Sequence, residues 1–346
     1  MVKRLVLILT IVVSCVSSLS AQVGGRQLYY FLNQAPSARL NSLGGVNVSL
    51  MDDDVHMAVQ NPALANDSMH KHVALSWSNY VADIGYGYAG YSQTVERLGS
   101  IHGGIQYLTS GDLQGADEFG NLTSTFRAGE FMAIVGISRE LGNFRVGANL
   151  KYIQSNLGLG FSSSGLAADV GGAYTSKNGL FQAGLAFQNI GFSLSPYVDG
   201  GEQLPLPFDI VIGISQKLKY MPLRFSITVN QLETPQLVFN DPDLPQQVDL
   251  NGNVIDSEAG FADKVFRHVV FGGEFLLGKA LRLRFGYNHL RRQELRAENR
   301  GGFTGFSLGA GVRIKRFALD YGYASYGINN LFQAHQFSML LNLQKK

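Results

Sequence analysis

Cysteine, tryptophan and charge are scarce: of 346 residues one is Cys and one is Trp, 16% are charged, and the formal net charge is +2. The sole cysteine, Cys15, lies in a leader built of Lys3 and Arg4, the apolar run LVLILTIVV, and small residues ending SSLSAQ. That order is a secretory signal peptide, 1–21, with cleavage near Ala21. VVSC leaves lipidation at Cys15 open. A chain cleaved near Ala21 has no thiol, which excludes a disulfide framework, a zinc–thiolate site and a cysteine nucleophile. The near-neutral charge excludes the electrostatic footprint of a nucleic-acid binder. No later stretch reaches the roughly 18 apolar residues of a membrane helix, so a helical membrane protein is excluded as well.

Glycine is abundant, at 41 residues, and aromatics make up 11%. From residue 73 onward apolar residues alternate with small or polar ones over about ten positions and then stop at a turn, the period of a strand. In NFRVGANLKYI one face is Phe144, Val146, Ala148, Leu150 and Tyr152. In LRLRFGYN it is Leu281, Leu283, Phe285 and Tyr287, against Arg282, Arg284, Gly286 and Asn288. Segments of this kind are centred near 76, 89, 103, 134, 149, 169, 184, 211, 226, 270, 285, 309, 321 and 338. Every second connection is short and often basic, as in RELGN, SKNG, KLKYM, GKA and KR. The others, at 109–128, 190–206, 232–264 and 290–301, are longer. Short turns at one end and long loops at the other predict an all-β fold: a 14-stranded antiparallel transmembrane outer-membrane β-barrel. Tyr86, Tyr88, Tyr107, Tyr152, Tyr174, Tyr287, Tyr321 and Tyr323 would form its aromatic girdles. The inward face, rich in Gly and small polar residues, suggests a crowded lumen rather than one lined with charges.

Motifs that could carry catalysis fail on these strands. GYGYAG matches a dinucleotide pattern, but its tyrosines alternate within a strand. GFSLG matches a serine elbow, yet Phe306, Leu308, Ala310 and Val312 continue an alternation through it. His70 and His72 lack a third ligand fixed by spacing. The expectation is a non-enzyme with no cofactor, no resident metal and no catalytic residue. The long loops are the candidates for partner binding: Asp241, Asp243, Asp249 and Asp256 in 232–264, and Asp112, Asp117, Glu118 and Phe119 in the shorter one.

Residues 22–72 precede the barrel, 73–346. In MDDDVHMAVQNPALA, Asp52, Asp53 and Asp54 stand just before Val55, Ala58 and Val59, and so are expected to cap a short helix that Pro62 helps to end. An ion site is the alternative. The order Ser37-Ala38-Arg39, Gly44-Gly45, Asp53-Asp54, Asn61-Pro62-Ala63 resembles the N-terminal hatch of the FadL-like outer-membrane barrels. That resemblance implies a hatch, or plug, at 22–72, and fourteen strands.

Within that superfamily, YYFLNQAPSARLNSLGG, DDDVHMAVQNPAL, SWSNYVADIGYGYAGYSQ and GIQYLTSGDLQGADEFGN resemble the PorQ-like barrels of the type IX secretion system of Bacteroidetes. Membership would imply a non-enzymatic attachment-complex component that holds PorZ at the cell surface, with PorU and PorV, while secreted cargo is attached to anionic lipopolysaccharide. The alternative function is a FadL-like transporter of hydrophobic small molecules.

Overall fold

A computed structural model describes residues 27–79, 84–117, 119–198, 200–201, 203–235, 237, 260–295, 302–326 and 333–344. The leader 1–21, Cys15, Glu118, Asp241, Asp243, Asp249 and Asp256 lie outside them.

Fourteen antiparallel strands close into a barrel. In chain order they begin β1 (His72–Asn79), β2 (Gly85–Val95) and β3 (Gly99–Thr109). A two-stranded hairpin, β4 (Leu113–Ala116) and β5 (Leu122–Phe126), stands outside the ring. The ring continues with β6 (Gly129–Leu141), β7 (Phe144–Gly158), β8 (Phe161–Thr175), β9 (Phe181–Ser195) and β10 (Asp209–Lys217). Next come β11 (Leu223–Val229), β12 (Val269–Leu277) and β13 (Leu281–Asn288). β14 (Phe306–Ile314), β15 (Phe317–Ser325) and β16 (Gln333–Asn342) complete it. β1 pairs with β16, Trp77 opposite Phe337, so no edge is left to lipid.

The alternation sorts residues by side. Trp77, Val135, Leu150, Leu308 and Phe337 are each more than half exposed on the outer surface. This apolar exterior on a closed sheet is that of a membrane-spanning barrel. The girdle expectation needs one correction: Tyr86 and Tyr88 are buried in the lumen. On β2 the outward positions are Gly85 and Gly87, because the Trp77 ring lies across them and leaves no room for a Cβ. Tyr86 between them and Tyr88 just after them therefore point inward.

One loop boundary also moves. Residues 190–195 continue β9 instead of opening a loop, and β7, β8 and β9, at 15 residues each, rise past their neighbours at the long-loop end. Two short helices, α3 (Phe261–Arg267) and α4 (His289–Leu295), follow the strands at that same end.

Inside the ring, residues 28–70 cross from one mouth to the other. Leu28 N–H donates to Pro205 O at the long-loop end (2.9 Å), and Lys71 O accepts from Leu343 N–H at the short-turn end (3.0 Å). The segment holds α1 (Ala38–Ser42), α2 (Met57–Gln60) and short 3₁₀ turns. Its apolar side chains form the core: Leu40, Leu43, Leu50, Met57 and Leu64 are at most 1% exposed. Each contributes about 2 kcal/mol by leaving water. The wall glycines let its backbone come close. A Cβ on Gly184 would strike Val48 O, and one on Gly322 would strike Ala38 O. This is why inward-facing strand positions are so often glycine.

Candidate functional site

The Ser37-Ala38-Arg39 step sets the site. Ser37 Oγ accepts Leu40 N–H (3.2 Å) and starts α1. That turn aims Arg39, 3% exposed, at the barrel wall. Its guanidinium donates to both carboxylate oxygens of Glu274 on β12 (3.0 and 3.2 Å) and to both of Asp52 (2.9 and 2.6 Å). Asp54 Oδ2 accepts a further, longer bond (3.3 Å).

Glu274 also accepts from Arg224 on β11 (2.8 Å) and Arg284 on β13 (2.8 Å). Arg284 in turn reaches Asp320 on β15 (2.5 Å). Arg224 also donates to Asp52 (3.2 Å). Buried charges persist only when paired and fully hydrogen-bonded, and this cluster meets that condition.

Asp52 and Asp53 thus act differently from the expected helix cap, while Asp54 keeps part of that role by accepting His56 N–H at the turn that leads into α2. α2 begins after His56 with no side-chain cap. Asp52 binds Arg39 and Arg224. Asp53 takes Arg313 of β14 in a two-point pair (2.5 and 2.6 Å). Asp54 Oδ1 accepts from the His56 ring and from His56 N–H (2.8 and 3.1 Å). Burial alone would raise both Asp52 and Asp54. Arg39 outweighs it at Asp52, and His56 with Arg39 holds Asp54 well below the usual carboxylate range. The expectation of a crowded lumen not lined with charges is corrected in its second half, because Arg224, Glu274, Arg284, Arg313 and Asp320 all point into the lumen. A second buried pair, Lys151 with Asp169 (2.8 Å), ties β7 to β8.

Asn61, Pro62 and Ala63 form a separate anchor. Asn61 Oδ1 accepts Ala63 N–H (3.0 Å), opening a 3₁₀ turn with Pro62 at its first position. The Asn61 amide donates to Val48 O (2.9 Å) and to Gly172 O on β8 (3.2 Å). Among the described residues no group of three His, Cys, Asp or Glu is arranged to hold a metal. His70 Nδ1 accepts Thr94 N–H (2.9 Å), and the His72 ring bonds Asp53 O (3.0 Å).

Of the loop candidates, Asp112 pairs with Arg127 in water (2.5 Å). Asp117 builds the hairpin tip by accepting from Phe119 N–H (2.9 Å) and Asn121 N–H (2.8 Å). Phe119 projects beside it, 82% exposed.

The sequence reading passed over Glu274, Arg224 and Arg313. Their signal was present: charges at inward strand positions opposite an acid-rich luminal segment. A cavity of about 380 Å³ lies at the long-loop end between that segment and the wall, with Tyr30, Val46, Gln60, Gln231, Arg291 and Tyr326 among its lining residues. Among the described residues, three buried polar atoms on these side chains lack a hydrogen-bond partner: Gln60 Oε1, Gln231 Oε1 and Arg291 Nη1.

No protein-family model matches the chain, and no curated protein does. Among solved structures it is similar to a TodX monoaromatic hydrocarbon channel deltaS2 mutant, at 10% identity and TM-score 0.53, covering 89% of this chain and 97% of that one. It is also similar to a Pseudomonas aeruginosa FadL homologue, at 12% identity and TM-score 0.50, over 88% and 98%. Likeness at these identities shows the fold, and with the apolar exterior it gives the conclusion: this chain is an integral outer-membrane barrel of FadL-type architecture.

Proposed function

We propose that the chain is a hatch-gated outer-membrane channel for small amphiphilic molecules. The cavity at the long-loop end carries this reading. Tyr30, Val46, Leu290, Leu295 and Tyr326 supply apolar contacts in a lining that also holds Asp209, Glu294 and several Asn and Gln side chains, and buried atoms of Gln60, Gln231 and Arg291 beside it have no hydrogen-bond partner among the described residues. Buried polar atoms left unpaired are costly, so a ligand head group that meets them gains that free energy. Below the cavity the ionic cluster closes the lumen, and passage requires residues 28–70 to shift. The FadL-type fold supports the same reading.

Purified protein should bind radiolabelled oleate or benzyl alcohol saturably, and Gln231→Leu with Arg291→Met should weaken this about tenfold. Absence of saturable binding for both probes would sink the channel reading.

A second reading has its own observation. The surface past the long-loop strand ends exposes Phe119 (82%), Leu122 (76%), Phe261 (84%) and Phe303 (78%). Large apolar side chains held out in water mark contact sites for proteins. This supports a PorQ-like anchor for PorZ, and through it PorU and PorV.

A further inference from the structure

At the short-turn mouth, positive charge gathers with little to balance it. A cavity of about 430 Å³ there is lined by Lys279, Arg282, Arg313, Lys315 and Arg316, with Asp53 as its acid. Asp53 is already matched by Arg313. Among the described residues, Arg282 Nη1 donates only to the carbonyl oxygens of Gly278 (3.2 Å) and Leu281 (3.1 Å). Arg316 lies over the Phe317 ring, 5.5 Å from its centroid. Among the described residues, Lys279, Arg282, Lys315 and Arg316 make no ion pair.

The fold brings these groups together. Arg313 N–H donates to Ala280 O (2.8 Å), so the 278–280 turn sits beside the end of β14 and the 315–316 turn that follows it. Arg282 faces inward one strand away, opposite Gly311.

We propose that this mouth is a binding site for phosphate-bearing ligands, held by Arg282, Lys279, Lys315 and Arg316. A guanidinium with free N–H groups and flanking ammonium groups suits a tetrahedral oxyanion, and no existing ion pair has to break. The volume admits a phosphorylated head group. Short turns face the periplasm in barrels of this kind. The phosphate therefore comes either from a phospholipid of the periplasmic leaflet or from a soluble phosphomonoester. The site is independent of the cavity at the other mouth.

The test uses the full purified chain and the variant Lys279→Gln/Arg282→Gln/Lys315→Gln/Arg316→Gln, with heat-modifiable migration as the check on folding. Soluble phosphate is probed by calorimetric titration with glycerol 3-phosphate. Lipid is probed by native mass spectrometry after reconstitution in phosphatidylglycerol or phosphatidylcholine nanodiscs. The wild type should bind glycerol 3-phosphate, or retain phosphatidylglycerol over phosphatidylcholine, or both, and the arm that responds names the source. Binding should weaken about tenfold in the variant and fall with added salt. If four changes impair folding, Lys315→Gln/Arg316→Gln alters only the exposed turn and should give a smaller loss. The proposal is overturned if neither probe binds, or if affinity is unchanged in both variants.

Discussion

Arg39 shows how one residue couples two parts of the molecule. It faces Asp52 and Asp54 on its own segment and Glu274 on the wall, so removing it leaves acids buried without that cation. Losing one partner of a buried ion pair costs about 3–5 kcal/mol. Arg39→Leu should therefore loosen residues 28–70 by roughly that amount while the barrel stays closed. Faster protease cleavage of the luminal segment, with heat-modifiable migration intact, is the expected result; unchanged cleavage would show that Arg224 and Arg284 suffice. The sequence marked Arg39 and the three aspartates as special. It assigned the aspartates to a helix end because their apolar neighbours have helical spacing, and spacing carries no trace of Glu274.

At the scale of elements, the barrel strands were legible and the hairpin was not. Lipid outside and packed side chains inside impose a period of two on every spanning strand, and that period stands in the sequence. β4 and β5 face water on both sides, so LQGA and LTSTF show no apolar alternation and read as loop. Their hydrogen bonds and the Asp117 turn make the hairpin. If the apolar tip grips a surface partner, replacing residues 113–126 with two glycines should release that partner from outer membranes and leave the barrel folded. Full retention, assayed by pull-down from native membranes, would count against the hairpin as the contact. Tyr86 and Tyr88 were misplaced because alternation gives two faces without saying which is outer; the Trp77 ring over Gly85 and Gly87 decided it.

For the whole molecule, the ionic cluster predicts a response to acid. Asp52 and Asp54 titrate below the ordinary aspartate value of about 3.9 in the folded state. Their stabilisation is therefore complete above about pH 5 and is lost as pH falls through the depressed folded values. The barrel's backbone ladder has no such dependence. After correction for the intrinsic slowing of exchange in acid, the protection of residues 38–69 should fall between about pH 5 and pH 3 before protection of the strands does. Simultaneous loss in both would show that the segment and barrel unfold as one unit.

The sequence by itself determined the strands and the apolar exterior, because those follow from alternation among neighbours in the chain. Where the charges go was decided only in three dimensions. Asp52 meets Arg224 across 172 residues, and Arg39 meets Glu274 across 235. Pairs that far apart leave no local pattern, and only closing the barrel around its own N-terminal segment brings them within hydrogen-bond reach.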